Sequence, residues 1–286
     1  MIGFIGLGVM GEPICRNLAA KSGEAVLGFD RRREPLERLA PRGVKPAASV
    51  RDIAERCDVV FLSLPGAKEV KEVCVGTASL LMFMRPGTYV VDLSTAPVAL
   101  ARDLQARFAA RGIHFLDAPV ARTRAAAEQG TLSVMVGCVE ADFARVRPLL
   151  GHFASDVTRC GGPGAGQALK IVNNMLLFQN VAALAEALAL IRRLGLDPEL
   201  ALQVLAKGSA DSFALRTHAM KAMLPNAYPE RAFPVSYALK DIGYALELAK
   251  LAGIELTGAN NAKALLERAA AAGHGEAYFP VVAKVV

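Results

Sequence analysis

Lys170 and Asn174 stand four residues apart, a spacing that puts both on one face of a helix. Ala168, Leu169, Ile171 and Val172 surround the lysine with apolar side chains. A lysine in such a setting is partly desolvated, which lowers its pKa and suits it to exchange a proton with an alcohol or a carbonyl oxygen. Asn174 offers a carboxamide to the same oxygen or to a neighbouring carboxylate; Asn173, one residue round the helix, reaches it less easily. On spacing alone, a lysine lying along apolar surface beside a packing asparagine explains the pair equally well.

The other constellation is Gly6-Leu7-Gly8-Val9-Met10-Gly11, a G-x-G-x-x-G between an apolar strand and a helical segment. Gly6 permits a tight turn, Gly8 a close approach of backbone to a pyrophosphate, and Gly11 close packing of helix on strand. The helix N-terminus then faces the anion. Asp30, nineteen residues beyond Gly11, ends the next predicted strand. A carboxylate there accepts from a ribose 2′-hydroxyl and repels a 2′-phosphate, which points to NAD. Arg31 and the two arginines after it would suit the 2′-phosphate of NADP, the alternative cofactor, or form a solvated turn against adenine.

The elements that must hold these residues follow from periodicity. Residues 1–5, 25–29, 58–64, 89–93, 114–116 and 132–136 read as strands alternating with amphipathic helices. That rhythm predicts a parallel sheet with helices on both faces. After the glycine-rich stretch 161–166 no strand is convincing. Residues 167–194 form one long apolar helical pattern, Asp197-Pro198 caps the next helix, and further helices fall near 211–224, 237–252 and 258–272. The expected fold is α/β: a Rossmann-type dinucleotide-binding domain over 1–162, then an all-α domain over 163–286 built on one long interdomain helix.

Composition narrows the partners. The chain of 286 residues has no Trp and 6% aromatics, too few rings for a stacking platform for single-stranded nucleic acid. Its net charge of +6 comes from scattered residues, which suits a small anionic ligand better than nucleic acid. Five cysteines with no C-x-x-C pair, and four dispersed histidines, predict neither a disulfide framework nor a metal site. The opening Met1-Ile2-Gly3-Phe4 lacks a basic or cleavable apolar stretch, so a reducing cytoplasm is expected. Gln179, Asn180 and Glu186 interrupt the most apolar stretch, which predicts a helix buried in protein rather than a membrane span. A helix of about thirty residues that is apolar almost all round needs cover, and a homodimer or homotetramer would supply it.

Across nearly its whole length the chain resembles the β-hydroxyacid dehydrogenase family, the 3-hydroxyisobutyrate dehydrogenase-like enzymes. The resemblance rests on four blocks in order: the Gly6–Gly11 turn with Asn17-Leu18; Asp117-Ala118-Pro119-Val120 followed by Gly130-Thr131-Leu132; Gly164-Ala165-Gly166 leading to Lys170 and Asn173-Asn174; and Lys240-Asp241-Ile242. It implies that Lys170 is the catalytic lysine and that Asn174 orients the substrate. It also implies that Lys240 lies near the cofactor, and that Leu64-Pro65 and Ser94-Thr95 are cofactor-contacting loops. The implied reaction is transfer of a hydride between NAD and a small anionic 3-hydroxy acid, giving a semialdehyde. One block departs from the pattern. Where the family has Ser-Gly-Gly, this chain has Ala121-Arg122-Thr123, similar to the Gly-Arg-Thr of sulfolactaldehyde reductases. An arginine there is expected to offer a planar fork to a carboxylate, sulfonate or phosphate. Alternatives are a reductase of a sulfonated or phosphorylated aldehyde, an imine reductase, or a non-catalytic dinucleotide-binding protein.

Overall fold

A computed structural model describes every residue except Arg231. The chain forms two compact units, Met1–Lys170 and Ile171–Val286. They part inside one 29-residue helix, Ala165–Arg193, later than the expected boundary at 162. The first turn of that helix is hydrogen-bonded into the first unit, whereas Phe178, Val181, Leu184, Ala185 and Leu188 pack into the core of the second.

The first unit is a Rossmann domain around a nine-stranded sheet: β1 (Ile2–Ile5), β2 (Val26–Phe29), β3 (Val44–Pro46), β4 (Val59–Leu62), β5 (Tyr89–Asp92), β6 (His114–Asp117), β7 (Val120–Ala121), β8 (Leu132–Gly137) and β9 (Ala154–Gly161). The order is β3-β2-β1-β4-β5-β6-β8-β7, with β9 paired to β8. Strands β1 to β6 pair in parallel. The central β1 and β4 are buried along their whole length, which is why they read as unbroken apolar runs rather than alternating ones.

An all-parallel sheet was the expectation, and it is corrected at one side. There β8 runs antiparallel to β6 and β7 and parallel to β9. Three strands carry no sequence signature: β3 and β7 are too short, and β9 exposes Ser155, Asp156, Thr158 and Arg159 and has no apolar alternation. The second unit is all-α. Its helices Pro198–Leu205, Val235–Ala252 and Thr257–Ala269 pack with the long helix, and the segment expected near 211–224 contains the π-helical stretch Leu215–Met223. By length and hydropathy alone Ala165–Arg193 would suffice to cross a membrane.

Candidate active site

The glycine-rich turn is built for close approach. Gly6 has φ +93°, and a Cβ there would stand 2.3 Å from the Ser63 carbonyl oxygen; one on Gly11 would stand 2.0 Å from that of Gly6. Gly8 has nothing within 4 Å of the place a Cβ would fill, the open room a phosphate needs. Helix Gly11–Lys21 begins with no capping side chain at Met10. Glu12 N–H donates to the Gly8 carbonyl at 3.0 Å and Pro13 has no N–H, so what the helix start offers an anion is chiefly its dipole. Leu7 is buried, while Val9 is exposed. Asp30 closes the turn: its Oδ2 accepts from Leu7 N–H at 2.7 Å and its Oδ1 from Arg32 N–H at 2.9 Å. The carboxylate is thereby fixed at the end of β2, while Arg31 pairs with Glu72 at 3.1 Å. These residues fit a dinucleotide.

Neighbouring strand ends are tied to this cradle. Ser94 is buried, and its Oγ accepts from Leu64 N–H at 2.9 Å, which joins the loops after β4 and β5. Pro65 is exposed and Thr95 half-buried. Asp117, at the end of β6, accepts from Gly164 N–H and Gln167 N–H, each at 2.8 Å and each on its own oxygen. It thus caps the long helix from across the sheet edge. Burial pushes the Asp117 carboxyl above the usual aspartate range, and these backbone donors pull it back. Lys170 follows one turn into the helix and is half-buried.

On the same helix face Asn174 is buried, and its Nδ2 donates to Asp241 Oδ2 at 2.7 Å; Asn173 Nδ2 donates to Asn174 Oδ1 at 3.1 Å. Asp241 is itself buried, and its other oxygen lies 3.2 Å from Lys240 Nζ. Lys240 rests between the rings of Tyr237 and Tyr244, 5.4 Å from each centroid.

Arg122, expected to offer its fork to a substrate anion, has partners within the protein. Its guanidinium donates from Nη1 to Thr131 O at 2.6 Å and Ser155 Oγ at 2.8 Å and forms an ion pair with Asp156 through Nη2, so three of its five N–H donors are engaged within the protein. Its backbone sits at φ +84°, a conformation that glycine adopts freely and other residues adopt at a cost. The loop therefore keeps a glycine-like path while the added side chain folds onto the edge strand β9. Ala121 is buried in β7, and Thr123 Oγ1 caps helix Arg124–Gln129 by accepting from Ala126 N–H.

Gln167, Asp117 and Asp241 were not among the residues expected to form the site. Asp117 and Asp241 lay inside matched blocks, and Gln167 lay between the Gly166 and the Lys170 of a third. Burial pushes the thiols of Cys15, Cys57, Cys74 and Cys138 up, which leaves them protonated at neutral pH and poor nucleophiles.

Residues 1–162 match a family described as the NAD binding domain of 6-phosphogluconate dehydrogenase, and residues 164–286 one described as NAD-binding of NADP-dependent 3-hydroxyisobutyrate dehydrogenase. The chain is 36% identical over 284 residues to 2-(hydroxymethyl)glutarate dehydrogenase of Eubacterium barkeri, covering 99% of this chain and 94% of that protein. Among solved structures, 3-hydroxyisobutyrate dehydrogenase from Salmonella typhimurium superposes with TM-score 0.90 at 30% identity, covering 100% of this chain and 99% of the other. The Mycobacterium tuberculosis 3-hydroxyisobutyrate dehydrogenase, solved with L-serine, superposes with TM-score 0.89 at 31% identity, covering 99% and 98%.

Proposed function

Because the chain belongs to the 3-hydroxyisobutyrate dehydrogenase-like β-hydroxyacid dehydrogenases, a family of NAD(P)-dependent oxidoreductases, we propose that it reversibly oxidises a 3-hydroxy acid of the form HOCH2–CH(R)–COO⁻ to its semialdehyde. Three names among its relatives share this skeleton: 3-hydroxyisobutyrate, 2-(hydroxymethyl)glutarate and L-serine each carry a hydroxymethyl group on the carbon that bears a carboxylate. The observation that carries the reading is Lys170, half-buried one turn beyond a helix start that Asp117 fastens to the sheet edge.

NAD(P), when bound at the Gly6–Gly11 turn, supplies the hydride chemistry. Lys170 Nζ takes the hydroxyl proton during oxidation and returns it during reduction. Asn174 has one amide hydrogen held by Asp241, which fixes its carboxamide plane and leaves the second hydrogen to orient the substrate oxygen. The Ala121–Thr123 loop binds the acid group through backbone N–H groups and the Thr123 hydroxyl. The alternative, a reductase of a sulfonated or phosphorylated aldehyde, would use Arg122 as an anion clamp, and it would require the guanidinium to exchange its exposed pairing with Asp156 for the substrate.

The test is a panel of 3-hydroxyisobutyrate, 2-(hydroxymethyl)glutarate, L-serine, glycerate, 2,3-dihydroxypropane sulfonate and a cyclic imine, each with either cofactor. The highest kcat/KM is expected on an acid of the proposed form. The fixed carboxylate of Asp30 is expected to favour NAD over NADP by at least about tenfold. Activity confined to the imine would overturn the reaction, and a tenfold preference for NADP would overturn the role of Asp30.

The long helix also supports self-association. Leu169, Leu176, Ala183 and Leu190 lie seven residues apart and are exposed, the leucines at 48%, 51% and 59%. A seven-residue apolar repeat makes one seam along a helix, the pattern of helix-on-helix packing. Sedimentation at micromolar concentration is expected to give a dimer or tetramer, and replacing Leu176 and Leu190 with Glu should shift it toward monomer. A wild-type monomer throughout would remove this assignment.

A further inference from the structure

Gln167 is fully buried at 0% exposure and fastened at both ends. Its backbone N–H donates to Asp117 Oδ2 at 2.8 Å. Its side-chain Nε2 donates to the Ser94 carbonyl at 2.7 Å, and its Oε1 accepts from Ala96 N–H at 3.0 Å. The two side-chain partners flank Thr95, so one carboxamide brackets that residue as a neighbouring strand would. Ser94 is also fixed, since its N–H donates to Asp92 Oδ1 and its Oγ accepts from Leu64 N–H, both at 2.9 Å. The ends of β4, β5 and β6 are thereby joined to the helical turn that precedes Lys170, three residues on.

An apolar side chain could fill this volume but would leave the buried Ser94 carbonyl and Ala96 N–H without these partners. What the carboxamide adds is two directional bonds, which specify distance as well as packing. Sliding the helix by one ångström along or across the strand ends would break both. We propose that Gln167 is a positioning residue for the redox reaction, setting the spacing between the Ser94–Ala96 loop and Lys170. The proposal rests on the reading of Lys170 as the proton acceptor. Gln167 touches neither the substrate nor the dinucleotide in this role, so its loss should appear in turnover and not in affinity.

The experiment compares Gln167→Met, which keeps the volume and loses both bonds, with Gln167→Glu, which keeps the acceptor for Ala96 N–H and sets an oxygen against the Ser94 carbonyl. Lys170→Ala runs in parallel. For each, NADH affinity is measured by fluorescence titration. Then kcat, KM and the deuterium isotope effect are measured with the panel acid that turns over fastest, well below the thermal unfolding midpoint. In both Gln167 variants kcat is expected to fall about 10- to 100-fold, with NADH affinity and KM within about threefold and a larger isotope effect as hydride transfer becomes limiting. A Gln167→Met enzyme with kcat within twofold of wild type overturns the proposal, whatever its unfolding midpoint. So does a fall in kcat matched by an equal loss of NADH affinity, which marks collapse of the cofactor loops. If the Met variant does not fold, the Glu variant decides by the same criteria. An inactive Lys170→Ala beside an unimpaired Gln167→Met sinks the positioning role alone. An unimpaired Lys170→Ala sinks the assigned chemistry, and the positioning role goes with it.

Discussion

Replacing Lys170 by Ala is expected to lower kcat by about a thousandfold or more while NADH affinity stays within about threefold. A positioned general base contributes on the order of 10²–10⁴ in rate, and water cannot be held in its place with the same aim. The affinity should survive because the cradle proposed for the pyrophosphate, Gly6, Gly8 and Gly11, lies on the loop after β1. Lys170→Arg separates proton exchange from charge. It keeps a cation at the site, but a guanidinium does not give up its proton in this pH range. The Arg variant should therefore be as slow as the Ala variant, and a small primary amine added to the Ala variant should restore part of the rate. Stopped-flow and steady-state rates with NAD and the best acid of the panel check this. If either variant keeps more than a tenth of wild-type kcat, Lys170 is not the base.

How far the site could be read from sequence depends on whether its geometry is local. The Gly6–Gly11 turn and Asp30 follow from a strand, a turn and a helix close together in the chain, and the structure links them directly through Leu7 N–H. Lys170 and Asn174 share a helix face by simple periodicity. The links that hold Asn174, Gln167 and Asp117 run across separations of 67, 73 and 50 residues. Such pairs leave no spacing signal, because each depends on which strand ends the sheet order sets side by side. Arg122 has a partner that is equally remote in the chain. Its charge was legible, but Asp156, with which it pairs, lies on β9, a strand without apolar alternation. The mixed edge of the sheet was lost with that strand: a rhythm of strand and helix predicts parallel pairing and says nothing of a two-residue β7.

Gly166 gives the second large expected effect, and here two principles predict opposite signs. It sits in the first turn of the long helix, where Ala exceeds Gly in helix propensity by up to about 1 kcal/mol. On that ground Gly166→Ala should stabilise. The packing argues otherwise: a Cβ would stand 2.3 Å from the Met135 carbonyl oxygen and 2.9 Å from Asp117 O, both backbone atoms that no rotamer change can move. Relief requires the helix start to lift by nearly one ångström, against a general cost of about 1–3 kcal/mol for overpacking a filled interior. The close approach should win, with net destabilisation of roughly 1–2 kcal/mol after the propensity term is subtracted. The same shift would pull Gln167 and Lys170 from their places, and a one-ångström misplacement costs on the order of 100-fold in rate. Gly243 is the contrast. It lies in helix Val235–Ala252 with nothing within 4 Å of its would-be Cβ, so propensity acts unopposed there and Gly243→Ala should raise stability. Urea unfolding of the two variants beside wild type, with kcat for Gly166→Ala, decides the matter. If both substitutions stabilise and Gly166→Ala keeps its rate, the helix start is not held by close packing on the sheet edge, and the account of how Lys170 is aimed fails.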